Sequence, residues 1–237
     1  IFKAYEKSIE FLVIEKILKE LKLHVDLRKE DKIFYFTTCG WMMWNWLISS
    51  LAVGSTVILY DGSPFYPDGT KLLKMAEELE VTVFGTSAKY ISALEMENIH
   101  PSQFSKFSNL RCILSTGSPL VDENYDFVYE KWKKDIQLSS ISGGTDIISC
   151  FALGNPMLPV NKGELQCRGL GMKVESFDDE GNSLCDQKGE LVCTKAFPSM
   201  PIYFWNDENN KKYNDAYFQR FPGVWHHGDY VSISKSG

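Results

Sequence analysis

Gln137-Leu138-Ser139-Ser140-Ile141-Ser142-Gly143-Gly144-Thr145-Asp146-Ile147-Ile148 is the stretch whose reading decides the fold. An apolar lead-in gives way to serines, a Gly-Gly pair, a hydroxyl and a carboxylate, and apolar residues then resume. That is the layout of a strand that ends in a tight loop. Adjacent glycines let backbone N–H groups approach a ligand that a Cβ would hold off. Thr145 then suits a phosphate oxygen, and Asp146 suits Mg²⁺, a hard cation that prefers oxygen ligands. The same residues also allow an ordinary Gly-Gly turn in which Thr145 and Asp146 cap a following helix.

Working outward, short apolar runs alternate with amphipathic ones. Ile33–Thr37, Thr56–Tyr60, Val81–Phe84, Leu110–Ser115 and Ile136–Leu138 are predicted strands. Residues 8–23, Trp41–Ala52, Leu72–Leu79, Lys89–Glu97 and Tyr125–Lys133 are predicted helices. Gly40, Gly85, Gly117 and Gly143 are expected in loops at strand carboxyl ends. Alternation of this kind predicts a parallel sheet flanked by helices, in which ligands sit outside the carboxyl ends of the strands. No charge interrupts Ile33 to Tyr60, long enough for a membrane span taken alone. Its Thr, Gly, Asn and Ser residues divide it into strand, helix and strand, and buried parallel strands are continuous apolar runs.

From Val160 onward the segments shorten. Gly163–Cys167, Met172–Phe177 and Gly189–Thr194 are predicted strands, with Asp179-Glu180-Gly181-Asn182 as a hairpin turn between the second and third. The expected architecture is α/β: residues 1–158 as the α/β part, then 159–237 as a small antiparallel β unit, a distorted barrel. The last distinctive phrase is Val224-Trp225-His226-His227-Gly228-Asp229-Tyr230. Adjacent His side chains point apart in a strand and no third ligand is suitably spaced, which disfavours a metal site. Asp229 after glycine in a loop could accept both hydroxyls of a ribose, or be an exposed turn aspartate.

The totals narrow the function. With 237 residues, a net charge of −6 and 44% hydrophobic residues, the chain is ordinary for a globular protein and unlike a basic nucleic-acid binder. The six cysteines contain no Cys-x-x-Cys pair and suggest no secreted disulfide framework, so the expected setting is the reducing cytosol. The first residues do not form a signal peptide. The absence of an initiator Met and the ending at Lys235-Ser236-Gly237 suggest a fragment of a longer chain.

Six phrases, in order, resemble the acyl-adenylate-forming superfamily of acyl-CoA synthetases and firefly luciferase. They are Gly40–Trp46, Leu59–Pro64, Leu114–Leu120, Ser140–Phe151, Phe204–Asn209 and His227–Tyr230. The resemblance implies that Gly117, Ser118 and Pro119 lie against adenine, that Gly144 and Thr145 contact the nucleotide with Thr145 holding the α-phosphate, that Asp146 helps bind Mg²⁺, and that Asp229 holds the ribose. Acetyl-specific relatives carry a tryptophan where Gly143 stands, so glycine implies room for a longer acid such as acetoacetate. Trp41, Met42, Met43 and Thr116 are the other expected pocket walls.

The implied reaction has two steps: MgATP converts the acid to an acyl-adenylate and pyrophosphate, and the thiol of coenzyme A displaces AMP. Such chemistry needs positioning and charge neutralisation more than a nucleophile. No Gly-x-Ser-x-Gly or Ser-His-Asp arrangement is present. The superfamily's phosphate loop ending in Pro-Lys, the arginine after the ribose aspartate, and the small carboxyl-terminal domain with its catalytic lysine are also missing. The chain therefore reads as part of the large domain, inactive without its N-terminal part and C-terminal small domain. Two alternatives stay open: a ligase for another short or medium acid, and a non-catalytic nucleotide-binding relative.

Overall fold

The structure is a computed structural model that describes residues 14–237. The helix expected over residues 8–23 thus lies partly outside the described residues. From residue 14 the chain is helical to His24, with Glu20–His24 as a π-type last turn.

Five strands form one parallel sheet: β1 (Lys32–Tyr35), β2 (Thr56–Ile58), β3 (Val83–Ser87), β4 (Cys112–Thr116) and β5 (Gln137–Ser140), in the order β2-β1-β3-β4-β5. The links are α1 (Met42–Ser49), α2 (Lys71–Glu78), α3 (Ala88–Met96) and α4 (Asp122–Phe127). One face of the sheet packs Phe34, Phe84, Ile113 and Leu138 under α2, α3 and α4. The other packs Ile33, Val83 and Leu114 against α1 and the helical stretch 14–24. Burial on both faces explains why the strands are apolar without alternation. Among the described residues no helix is long and apolar enough to cross a membrane. The uncharged run from Ile33 to Tyr60 is β1, α1 and β2.

After β5 the pattern changes earlier than predicted. β6 (Ser142–Gly144) and β7 (Ser149–Leu153) pair antiparallel, and β8 (Cys167–Arg168) joins β7. No helix follows the Gly-Gly pair. This three-stranded sheet straddles the expected boundary at residue 159. A four-stranded antiparallel sheet follows, in the order β10-β9-β11-β12, from β9 (Val174–Phe177), β10 (Ser183–Leu184), β11 (Lys188–Cys193) and β12 (Trp225–Ser232). The turn at residues 178–182 is held by Asp178 Oδ1, which accepts from the Glu180 and Asn182 amides at 3.0 and 2.8 Å. It joins β9 to the short β10, and β11 pairs with β9 beside it. Between β11 and β12 lies α5 (Lys211–Tyr217).

Gly85 is not in a loop. It lies inside β3, where a Cβ would fall 2.1 Å from the Tyr35 ring, so its missing side chain serves sheet packing.

The two parts meet along the helical stretch 14–24. The buried Glu20 carboxylate accepts from Trp46 Nε1 at 3.0 Å, Ser149 Oγ at 2.5 Å and the Cys150 amide at 3.2 Å. His24 Nδ1 lies 2.7 Å from Gly154 O, and its Nε2 accepts from the Leu170 amide at 3.1 Å. Those partners fix a neutral ring with the proton on Nδ1. A buried carboxylate without such donors would cost several kcal/mol, on the order of 3–5.

Candidate functional site

The site is a cleft of about 850 Å³ where the carboxyl ends of β4 and β5 face β12. Thr116, Gly117, Ser118 and Pro119 form one wall, Ser142 and Gly143 the floor, and Asp229 and Tyr230 the opposite wall. A parallel sheet leaves its strand-end loops on one rim, which is why the first wall falls there. The Thr116 hydroxyl donates to Ile141 O at 3.0 Å, and the Ile141 amide to Ser115 O at 2.8 Å. Those two bonds tie the end of β4 to the link between β5 and β6.

The opposite wall owes its place to a bulge. Val192 pairs with His226 and Glu190 with Tyr230, so Leu191 alone opposes His227, Gly228 and Asp229. Gly228 turns the chain with φ +91°, a value that disfavours any side chain. Asp229 is therefore on a bulged strand, not in the loop expected from sequence, and it is exposed toward the cleft with His227 Nε2 3.7 Å from its Oδ2. The two histidines diverge: His226 Nε2 meets Glu190 Oε2 at 2.9 Å, while the His227 ring lies 4.6 Å from that of Phe151. Burial pushes the Glu190 carboxyl up, but hydrogen bonds from His226 and Tyr230 and the nearby Arg220 outweigh it, and the net shift is downward.

Beside the cleft, the turn between β6 and β7 carries Thr145, exposed, and Asp146, half-buried. Tyr217 on α5 donates to Asp146 Oδ2 at 2.7 Å, a partner that no local pattern around residue 146 announces. A Cβ on Gly144 would lie 2.4 Å from Asp146 Oδ1 and 2.9 Å from His227 Cε1, so the carboxylate and imidazole both press on the Gly144 backbone. A Cβ on Gly143 would lie 2.4 Å from Ser149 O and 3.0 Å from Cys150 Cα. Glycine at 143 therefore permits the tight, irregular β6–β7 pairing as well as opening the cleft floor.

The expected pocket walls divide. Thr116 and Gly143 line the cleft. Met42 and Met43 are buried in the core with Tyr35 and Cys150, because α1 lays its apolar face on the sheet, and Trp41 is exposed just before α1. A shallower depression of about 740 Å³ around Asn206–Asp215 contains none of the expected residues. Among the described residues no group of three His, Cys, Asp or Glu side chains is placed to enclose a metal. Mg²⁺ needs no such cage, since it is usually held by one or two carboxylates together with substrate phosphates. Asp146, with Oδ1 accepting no hydrogen bond among the described residues, fits that mode of binding.

Across the cleft, then, the Gly-rich rim of a parallel α/β sheet faces an aspartate on an antiparallel unit. The chain belongs to the family described as AMP-binding enzyme, whose profile matches residues 13–204. Among its relatives, the acetoacetyl-coenzyme A synthetase of Rhizobium meliloti (strain 1021) is 56% identical over 220 residues, covering 93% of this chain and 34% of that protein. The acetoacetyl-CoA synthetase of Gallus gallus is 52% identical over 221 residues, covering 93% and 33%. The structure of acetoacetyl-CoA synthetase from Streptomyces lividans matches with a TM-score of 0.90 at 44% identity, covering 95% of this chain and 35% of that one. This chain thus spans about a third of the length of the relatives it matches.

Proposed function

We propose that the protein is an acetoacetate–CoA ligase, and that this chain supplies the adenine, ribose and acid-facing walls of its adenylation site. The observation that carries the reading is the single cleft that Thr116–Pro119, Gly143 and Asp229 share. These residues come from three separate stretches of sequence. In this reading Gly117, Ser118 and Pro119 pack on adenine, and Asp229 accepts the ribose hydroxyls. Thr145 donates to the α-phosphate, and Gly144, lacking a Cβ, lets Asp146 and His227 pack against the turn that carries it. Asp146 would hold Mg²⁺, which would supply charge neutralisation for the phosphates. ATP, acetoacetate and coenzyme A are the substrates. The phosphate loop and the catalytic lysine belong to sequence beyond this third of the protein, which makes the chain inactive alone.

Thr116 and Gly143 bound the acid on the cleft side, and Met42 and Met43 support that region from the core beneath. The two units proposed at 1–158 and 159–237 share the β6–β7–β8 sheet as their seam. A cytosolic setting agrees with six unpaired cysteines, two of them exposed.

The test is acid-dependent ATP–pyrophosphate exchange on the full-length parent, with acetoacetate, acetate, butyrate and 3-hydroxybutyrate. Strongest exchange with acetoacetate, lost in Thr145→Ala or Asp146→Ala, is the expected outcome. Exchange favouring another acid keeps the mechanism and removes the substrate. Absent exchange in a folded protein that still binds ATP leaves a non-catalytic relative. Gly143→Trp tests the size of the acid pocket only where the variant keeps its melting temperature, because a side chain there requires the backbone at Ser149 to move.

A further inference from the structure

We infer that Tyr217 is a positioning residue for Asp146: its hydroxyl fixes Oδ2, leaving Oδ1 as the oxygen presented to a metal–nucleotide complex. The inference rests on the proposed role of Asp146 and goes beyond it, since Tyr217 lies 71 positions away on a helix to which no nucleotide role has been given.

Three observations carry it. The hydroxyl-to-carboxylate distance is 2.7 Å, and Oδ2 accepts no other hydrogen bond among the described residues. The ring that carries the hydroxyl is held in place: it stacks on Trp225 with centroids 3.7 Å apart and planes 15° from parallel, and Phe204 and Tyr213 meet it edge-on at 5.7 and 5.6 Å. Trp225 is fully buried at the start of β12, the strand that carries Asp229. The helix is pinned too. Asp207 accepts from the Lys212 and Tyr213 amides at 2.9 and 2.8 Å, fixing the first turn of α5.

The geometry assigns the two carboxylate oxygens different tasks. Oδ2 is engaged by the phenol, while Oδ1 lies against the Gly144 backbone, where only hydrogen leaves room for it. A carboxylate with one oxygen fixed by a neutral donor loses rotational freedom, the usual contribution of a group behind a metal ligand.

The experiment uses the full-length parent and four variants: Tyr217→Phe, Asp146→Asn, the double variant and Tyr217→Leu. Affinity for Mn²⁺ in the presence of a non-hydrolysable ATP analogue is read by electron paramagnetic resonance, alongside kcat for pyrophosphate exchange and the melting temperature. Tyr217→Phe keeps the ring stack and is expected to leave the melting temperature near wild type. It should weaken Mn²⁺ binding and lower kcat by about tenfold, the low end for loss of a group behind a ligand. In the Asp146→Asn background the same change should add little. Wild-type Mn²⁺ affinity in Tyr217→Phe, or an equal loss in both backgrounds, overturns the inference. Tyr217→Leu removes the ring as well. If it lowers melting temperature and metal affinity together while Tyr217→Phe lowers neither, Tyr217 is a packing residue only. An Asp146→Asn variant with unaltered Mn²⁺ affinity and exchange refutes the assignment of Asp146 itself, a separate result.

Discussion

The Thr116–Pro119 wall and the Asp229 wall face one cleft but arise in opposite ways. The first is where a parallel strand stops. β4 pairs in register with β3 and β5 on either side, and its carboxyl end must deliver a loop to the rim. The second interrupts an antiparallel strand, because β12 spends three residues, His227 to Asp229, opposite Leu191 alone. A loop at a strand end follows from topology, whereas a bulge re-aims one side chain at the cost of local pairing. The difference shows how each unit reaches the cleft: the parallel rim brings small side chains and backbone, and the antiparallel unit brings Asp229.

If that division holds, charge removal on the antiparallel side and at the β6–β7 turn should dominate function. The largest effect is expected for Asp146→Ala in the full-length parent: about a hundredfold loss in kcat of pyrophosphate exchange, the scale for removing one preorganised electrostatic group. A loss of less than about threefold would break the comparison at its centre. Asp229→Ala should follow, raising the KM for ATP with kcat nearly kept, by about 1.5–3 kcal/mol for a charged hydrogen-bond acceptor. Unchanged ATP dependence would return Asp229 to an exposed strand aspartate. Gly144→Ala should act on stability as well, because its Cβ meets both Asp146 Oδ1 and His227 Cε1. Forced displacement of two packed side chains costs about 1–3 kcal/mol, measurable by chemical denaturation.

The smallest effect concerns the seam. Burial holds the His24 imidazole below its ordinary value, and the folded ring is neutral. In the unfolded chain it takes up a proton near the usual value of about 6.5. The unfolded state therefore binds more protons between the folded value and 6.5. Stability from this group is complete above about pH 6.5 and is lost as pH falls toward the depressed folded value. Melting temperatures of the full-length parent from pH 7.5 to 5 should fall more than those of His24→Gln, and parallel curves would remove the seam's titration.

The five parallel strands were legible because a strand buried on both faces must be apolar, and their boundaries shifted by only a few residues. Gly85 shows the limit. A glycine near a strand end reads as a loop, yet here it accommodates the Tyr35 ring from the neighbouring strand, a contact no local pattern contains. Met42 and Met43 show another: aromatics and methionines after a strand suit a pocket wall or a core equally, and only the docking of α1 on the sheet decided for the core.

By itself the sequence determined the alternation that makes the parallel sheet and the change of texture that ends it. Periodicity and turn chemistry are local, so one chain states them without help. The tertiary structure decided that the Gly-Gly pair opens an antiparallel hairpin, that a bulge aims Asp229, and that Tyr217 reaches Asp146 across 71 positions. Those outcomes depend on which surfaces pack together. Packing is set by shape and burial over the whole molecule, and no window of neighbouring residues carries it.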